Sequence, residues 1–202
     1  PASDFFLCFF EPSVFPMVFK PQDPKTIGIL SKELQCLGHE SSFRKFEWDH
    51  LFNYGKDNSI DFRKLNGIIG VFGKNFSGKS SIVDAALYTL FNTTSRNERK
   101  NLNVINQHQD SCTGYLEIEI GNKTYKVKRT SEKYTKRLKG EETLEAKTDL
   151  NFEVYDAVTD EVTSLNGNTR IQTDANIRKH FGTMDDFLVS SLLKIFKGEM
   201  WV

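Results

Sequence analysis

Long apolar runs are scarce in this chain of 202 residues. The strongest, Phe5 to Phe19, is broken by Glu11, Pro12 and Pro16 and has no basic leader, so neither a membrane span nor a signal peptide is expected. Cysteine is nearly missing as well. Cys8, Cys36 and Cys112 lie far apart with no C-x-x-C pair, which fits neither a zinc site nor a disulfide framework and points to a reducing, cytoplasmic setting. His39, His50, His108 and His180 are scattered without an H-x-x-x-H pair and read as structural or surface residues. Net charge is missing too: 27 basic residues balance 27 acidic ones, so any polyanion partner must be argued from local clusters. No G-x-S-x-G elbow and no internal repeat occurs, which removes a serine-hydrolase site and a solenoid from consideration.

What is present is ordinary globular usage, 38% hydrophobic and 12% aromatic, enough for a good core. Residues 1–40 are rich in Phe and Pro without a sustained period and receive no fold or function. The chain starts at Pro1 and ends at Met200-Trp201-Val202 after a helical pattern with no stop signal, so a piece of a longer protein is expected. Phe43 to Trp48 and Ser59 to Phe62 alternate like two antiparallel strands around the turn-like Tyr54 to Asn58. Ile68 to Phe72 forms an uninterrupted apolar run, the pattern of a central strand buried on both faces. A helix is expected from Ser80 to Phe91, with Ile82, Val83, Ala86, Leu87, Leu90 and Phe91 at helical spacing. Leu116, Ile118 and Ile120, the turn Gly121-Asn122, then Tyr125 and Val127 spell a hairpin, and Phe152 to Tyr155 adds a strand. Thr173 or Asp174 is the expected cap of a helix ending at Phe181-Gly182, and Thr183 caps another running through Phe187, Leu188, Leu192, Leu193 and Phe196.

Gly73-Lys74-Asn75-Phe76-Ser77-Gly78-Lys79-Ser80 matches G-x-x-x-x-G-K-[ST] between the apolar run and the helix. The two glycines allow a backbone ring whose N–H groups converge on an anion, with the positive end of the helix behind it. Lys79 would supply a point charge to β- and γ-phosphate oxygens, and the Ser80 hydroxyl would coordinate Mg²⁺. Ser81 completes the candidate set. ATP with Mg²⁺ is the implied ligand, and the implied fold class is α/β.

The words "NYGKDNSIDFRKLNGIIGVFGKNFSGKSSIVDAALYTLF", "VINQ" and "GYLEIEIGNKTYKVKRT" resemble the N-terminal ATPase lobe of SbcC-type and SMC-like DNA-repair ATPases, including phage recombination-endonuclease subunits. The likeness covers about residues 43 to 200 and is most specific over 59 to 91. It implies a P-loop, ABC-like half-lobe over residues 41–202, truncated before a long coiled coil. It further implies a C-terminal lobe of the same protein carrying the hydrolytic carboxylates, a second head as a homodimer partner, a nuclease subunit and DNA. On that resemblance the full protein hydrolyses ATP in double-strand-break repair or recombination, while this piece alone holds no catalytic residue. Two departures stand out: bulky Phe76 replaces a small residue, and the run Leu192 to Glu199 lacks the glutamine the family places near Mg²⁺.

Between Lys123 and Lys139 eight basic residues (Lys123, Lys126, Lys128, Arg129, Lys133, Lys136, Arg137 and Lys139) meet one acid, Glu132. Such a run can neutralise phosphates and is a candidate DNA contact, or else a solvated hairpin matched by the eight acids of residues 141–161. The rival readings are a chromosome-structural SMC-type ATPase and a P-loop kinase or GTPase, the latter without an N-K-x-D motif to support it.

Overall fold

The computed structural model describes residues 41–65, 71–72, 78–95, 101–138 and 141–187. Among these residues six strands form one antiparallel sheet in the order β2-β1-β3-β4-β5-β6. They are β1 (Ser41–Asp49), β2 (Asn58–Asp61), β3 (Ser111–Ile120), β4 (Lys123–Leu138), β5 (Glu141–Asp156) and β6 (Glu161–Ser164). The helices are α1 (Ser81–Phe91), α2 (Arg170–Phe181) and α3 (Met184–Phe187), with short 3₁₀ turns at Phe62–Lys64 and Asn101–Asn103. The architecture is mixed α/β with an antiparallel sheet.

Period-two alternation decides which face of the sheet is covered. On one face Phe46, Trp48, Leu116, Ile118, Val127 and Phe152 are buried, and α1 packs there against β3 and β4 while α2 packs against β5. Phe46 stacks on Trp48 with ring centroids 4.6 Å apart, and Tyr125 meets Phe181 edge-on at 5.5 Å. Each such fully buried apolar side chain contributes about 1.5–3 kcal/mol by removal from water. The second half of α1 is buried on nearly every side, through Ala85, Leu87, Tyr88, Thr89, Leu90 and Phe91, the signature of an interior helix. At Gly114 of β3 an added Cβ would run into the Thr89 Oγ1. Only glycine tolerates that approach.

The β3–β4 hairpin turns at Gly121, φ +58°, as the Gly-Asn pair predicts. Its arms are longer than the apolar alternation suggested. β4 and β5 pair over 16 residues from Lys123↔Asp156 to Leu138↔Glu141, whereas β3 stops opposite Glu132. Beyond Glu132 the sheet therefore continues as a two-stranded ribbon.

One expectation needs correction. The cap of α2 is Thr169, whose side chain accepts from the Gln172 N–H. Thr173 and Asp174 lie buried inside the helix, and Thr173 instead bonds the Thr169 carbonyl. The error arose because exposed Ile171 breaks the apolar period at the first turn. Of the expected central strand, Ile68, Ile69 and Gly70 lie outside the described residues, and at its end Phe72 is 78% exposed. Thr183 does cap α3, accepting from the Asp186 N–H while Asp186 accepts from the Thr183 N–H; that helix's expected continuation through Leu188, Leu192, Leu193 and Phe196 lies outside the described residues.

Candidate functional site

The glycine-lysine-serine end of the loop motif sits at the start of α1. Gly78 has φ +92°, a conformation that L side chains rarely adopt. Its carbonyl accepts the Ser81 N–H at 2.9 Å, which begins the helix, and also the Tyr54 hydroxyl at 2.7 Å. Ser80 precedes the helix with φ −71° and ψ −24° and makes no capping hydrogen bond through its side chain. Its exposed hydroxyl is thus held at a helix N-terminus without being used by the helix. Lys79 is half-buried beside it. Gly73, Lys74, Asn75, Phe76 and Ser77 lie outside the described residues.

The β1–β2 connection, which sequence reasoning treated only as a turn, is built against this end of the motif. Asn53 places its side-chain amide 3.0–3.2 Å from where a Cβ of Gly78 would be. The Tyr54 ring meets Trp48 edge-on at 5.3 Å, its N–H bonds the Leu51 carbonyl at 3.0 Å, and its carbonyl accepts the Asn106 amide at 3.1 Å. Burial raises the Tyr54 hydroxyl above its ordinary pKa, so it remains a donor at neutral pH. Nothing local in the sequence signals these contacts, since Tyr54 and Gly78 are 24 residues apart.

The basic run does not make a basic face. Arg129 is wholly buried, which corrects its reading as a DNA contact. Val127, Arg129 and Ser131 of β4 are buried under the helices, where Arg129 donates to the Thr89 and Leu90 carbonyls at the end of α1 and to the Asp174 carboxylate. Desolvation pulls its pKa down against the opposing pull of Asp174. Lys133 donates to the Asn106 and Gln107 carbonyls. Lys123 pairs with Asp156, Lys136 with Glu145 and Arg137 with Glu142. Lys139 lies outside the described residues. On the open face, one row across five strands reads Asp61, Lys45, Glu117, Lys126, Glu153. Lys126 thus has an acid on either side, whereas Lys128 has Tyr115 and Asn151.

His180 donates its Nδ1–H to the Asn176 carbonyl and packs against Tyr125 and Phe152. Among the described residues no three His, Cys, Asp or Glu side chains gather as a metal site, and no helix is long and apolar enough to cross a membrane.

An uncharacterized protein of Acanthamoeba polyphaga mimivirus is 32% identical over 153 residues, covering 72% of this chain and 11% of the viral protein. The chain thus spans about a ninth of that relative's length. The solved structure of the recombination mediator protein RecF with ATP, from the RecFOR pathway, is 11% identical over 54% of this chain and 28% of that chain. Its TM-score of 0.34 is too low for the superposition to bear on function. Residues 41–199 match the family model of the AAA domain, more than half of the chain and both sides of the glycine-lysine-serine turn, and the chain belongs to the AAA domain family.

Proposed function

We propose that the chain binds ATP with Mg²⁺ at residues 73–81 and serves as one lobe of an ATPase that acts in DNA double-strand-break repair or recombination. The observation that carries the reading is the Gly78–Ser81 geometry. A left-handed glycine, a lysine and a serine hydroxyl not used in capping stand together at the N-terminus of an interior helix. This donor set fits the ligand. Backbone N–H groups and the Lys79 ammonium suit phosphate oxygens, and a hydroxyl suits a hard cation that prefers oxygen. Mg²⁺ would neutralise charge on the inner phosphates when bound. The carboxylates that activate water are assigned to a C-terminal lobe, so hydrolysis is a property of the completed head.

In this reading ATP works as a conformational ligand. It favours engagement of two heads by the difference between its affinities for the engaged and separate states. DNA and a nuclease subunit are the proposed partners of the assembled protein.

Isothermal titration with ATP tests the assignment. Lys79→Ala should weaken binding at least tenfold, the scale of losing a charge-assisted contact. Ser80→Ala should leave Mg²⁺-free binding unchanged and remove the gain that Mg²⁺ confers. Equal ATP affinity in the Lys79→Ala and unaltered chains would remove the nucleotide assignment.

A further inference from the structure

We infer that Tyr54 is a positioning residue for the nucleotide's inner phosphates: its hydroxyl fixes the orientation of the Gly78–Lys79 peptide, and with it the direction of the Lys79 N–H. The inference rests on the nucleotide reading above and deepens it.

The argument begins with the carbonyl. Gly78 O receives two donors, the Tyr54 hydroxyl at 2.7 Å and the Ser81 N–H at 2.9 Å, which uses both of its lone pairs. A trans peptide is planar, so its C=O and N–H point in opposite directions, and no cis peptide occurs among the described residues. Holding the carbonyl toward Tyr54 therefore turns the Lys79 N–H to the other side, where an anion at the start of α1 would meet it. Gly78 is the place where such control is needed. At φ +92° and without a Cβ, it sets little steric resistance to rotation of the adjoining peptide.

Tyr54 is itself held well enough to act as a brace. Its ring rests on buried Trp48. Its backbone is tied on one side to Leu51 and on the other to the Asn106 side chain, and Asn106 is gripped in turn by Lys133. The brace thus reaches from the phosphate loop through the 101–110 segment to β4. A tyrosine here serves as a rigid donor on a stiff aromatic body, and a phenylalanine would keep the packing while losing the donor.

The test compares ADP binding by the unaltered chain, Tyr54→Phe, and a chain with 4-aminophenylalanine at position 54, with Lys79→Ala as the reference for the site. The expected result is about a fivefold loss in Tyr54→Phe, equivalent to one neutral hydrogen bond. Its ligand-free melting temperature should stay close to that of the unaltered chain, and the aniline N–H should restore most of the lost affinity. Unchanged ADP affinity in Tyr54→Phe, with Lys79→Ala impaired, would overturn the role of Tyr54 and spare the nucleotide reading. Failure of the aniline to restore binding would also overturn it, since the loss would then come from general damage. No ADP or ATP binding by the unaltered chain would overturn both.

Discussion

The Arg129 guanidinium donates to the Asp174 carboxylate at 2.7 Å, with the arginine wholly buried and the aspartate side chain 11% exposed. The same guanidinium bonds the Thr89 and Leu90 carbonyls, so one side chain joins β4, the C-terminal end of α1 and the middle of α2. Cations are favoured at a helix C-terminus, and Arg129 satisfies carbonyls that the helix itself leaves open.

Removing one partner should be costly because it strands the other. Asp174→Asn is expected to lower unfolding free energy by about 3 kcal/mol, read from urea denaturation. A double exchange to leucine at both positions should recover much of that loss. A single variant as stable as the parent would show that the pair is dispensable.

Gly114→Ala forces a methyl into the Thr89 hydroxyl. A loss of about 1–3 kcal/mol is expected from overpacking. Thr89→Ala in the same chain should relieve most of it, and thermal melts of the four-member cycle would read the coupling.

Cys112 is buried on β3, and burial pushes its thiol pKa up to about 12. In a chain carrying Cys8→Ser and Cys36→Ser, labelling by a thiol-exchange reagent at pH 8 should be slower than for an exposed cysteine by at least about a hundredfold. The rate should rise with urea as the chain opens. Immediate labelling in native buffer would contradict the packing of β3 under α1.

Asp61 caps the Phe62–Lys64 turn and is held at about 2, below the ordinary 3.8, chiefly by the Arg63 side chain. A depressed carboxylate pKa stabilises the fold above the unfolded value, and that contribution disappears as pH falls through the folded one. The melting temperature of the parent should therefore exceed that of Asp61→Asn above about pH 4 and converge on it toward pH 2. A constant difference across that range would mean that the contact with Arg63 carries no linkage.

Charge placement on β4 separates two kinds of lysine. Lys126→Glu sets a third acid between Glu117 and Glu153 and should cost the sheet about 0.5–1 kcal/mol. Lys128→Glu has no such neighbours. If DNA lies on this face, Lys128→Glu should lower the salt slope of binding by about one. A slope unchanged in Lys128→Glu would remove the remaining open-face candidate of the run.

Where the sequence was legible, one local rule governed the outcome. Alternation around Gly121-Asn122 produced β3 and β4, and 3.6-residue spacing after Lys79 produced α1. The glycine-lysine-serine turn was legible because it is contiguous. Long-range pairing hid the rest. The lysine-rich stretch to Leu138 became a strand because β5 answers it residue by residue, with Glu142 and Glu145 opposite or near its cations. Arg129 was read as surface because arginine usually is, and its burial depends on Asp174, 45 residues away. Tyr54 and Asn53 gave no sign of their partner at all, since only folding brings the β1–β2 loop to Gly78.

The row Asp61, Lys45, Glu117, Lys126, Glu153 has a bearing on how this lobe meets a polyanion. Alternating signs at strand spacing cancel within a few ångströms, so their summed potential dies away faster than screening by salt alone would require. With three acids to two lysines, the row itself offers a distant duplex no attraction. In the DNA reading proposed above, long-range capture would fall to surfaces other than this row, where an encounter is decided only at contact range.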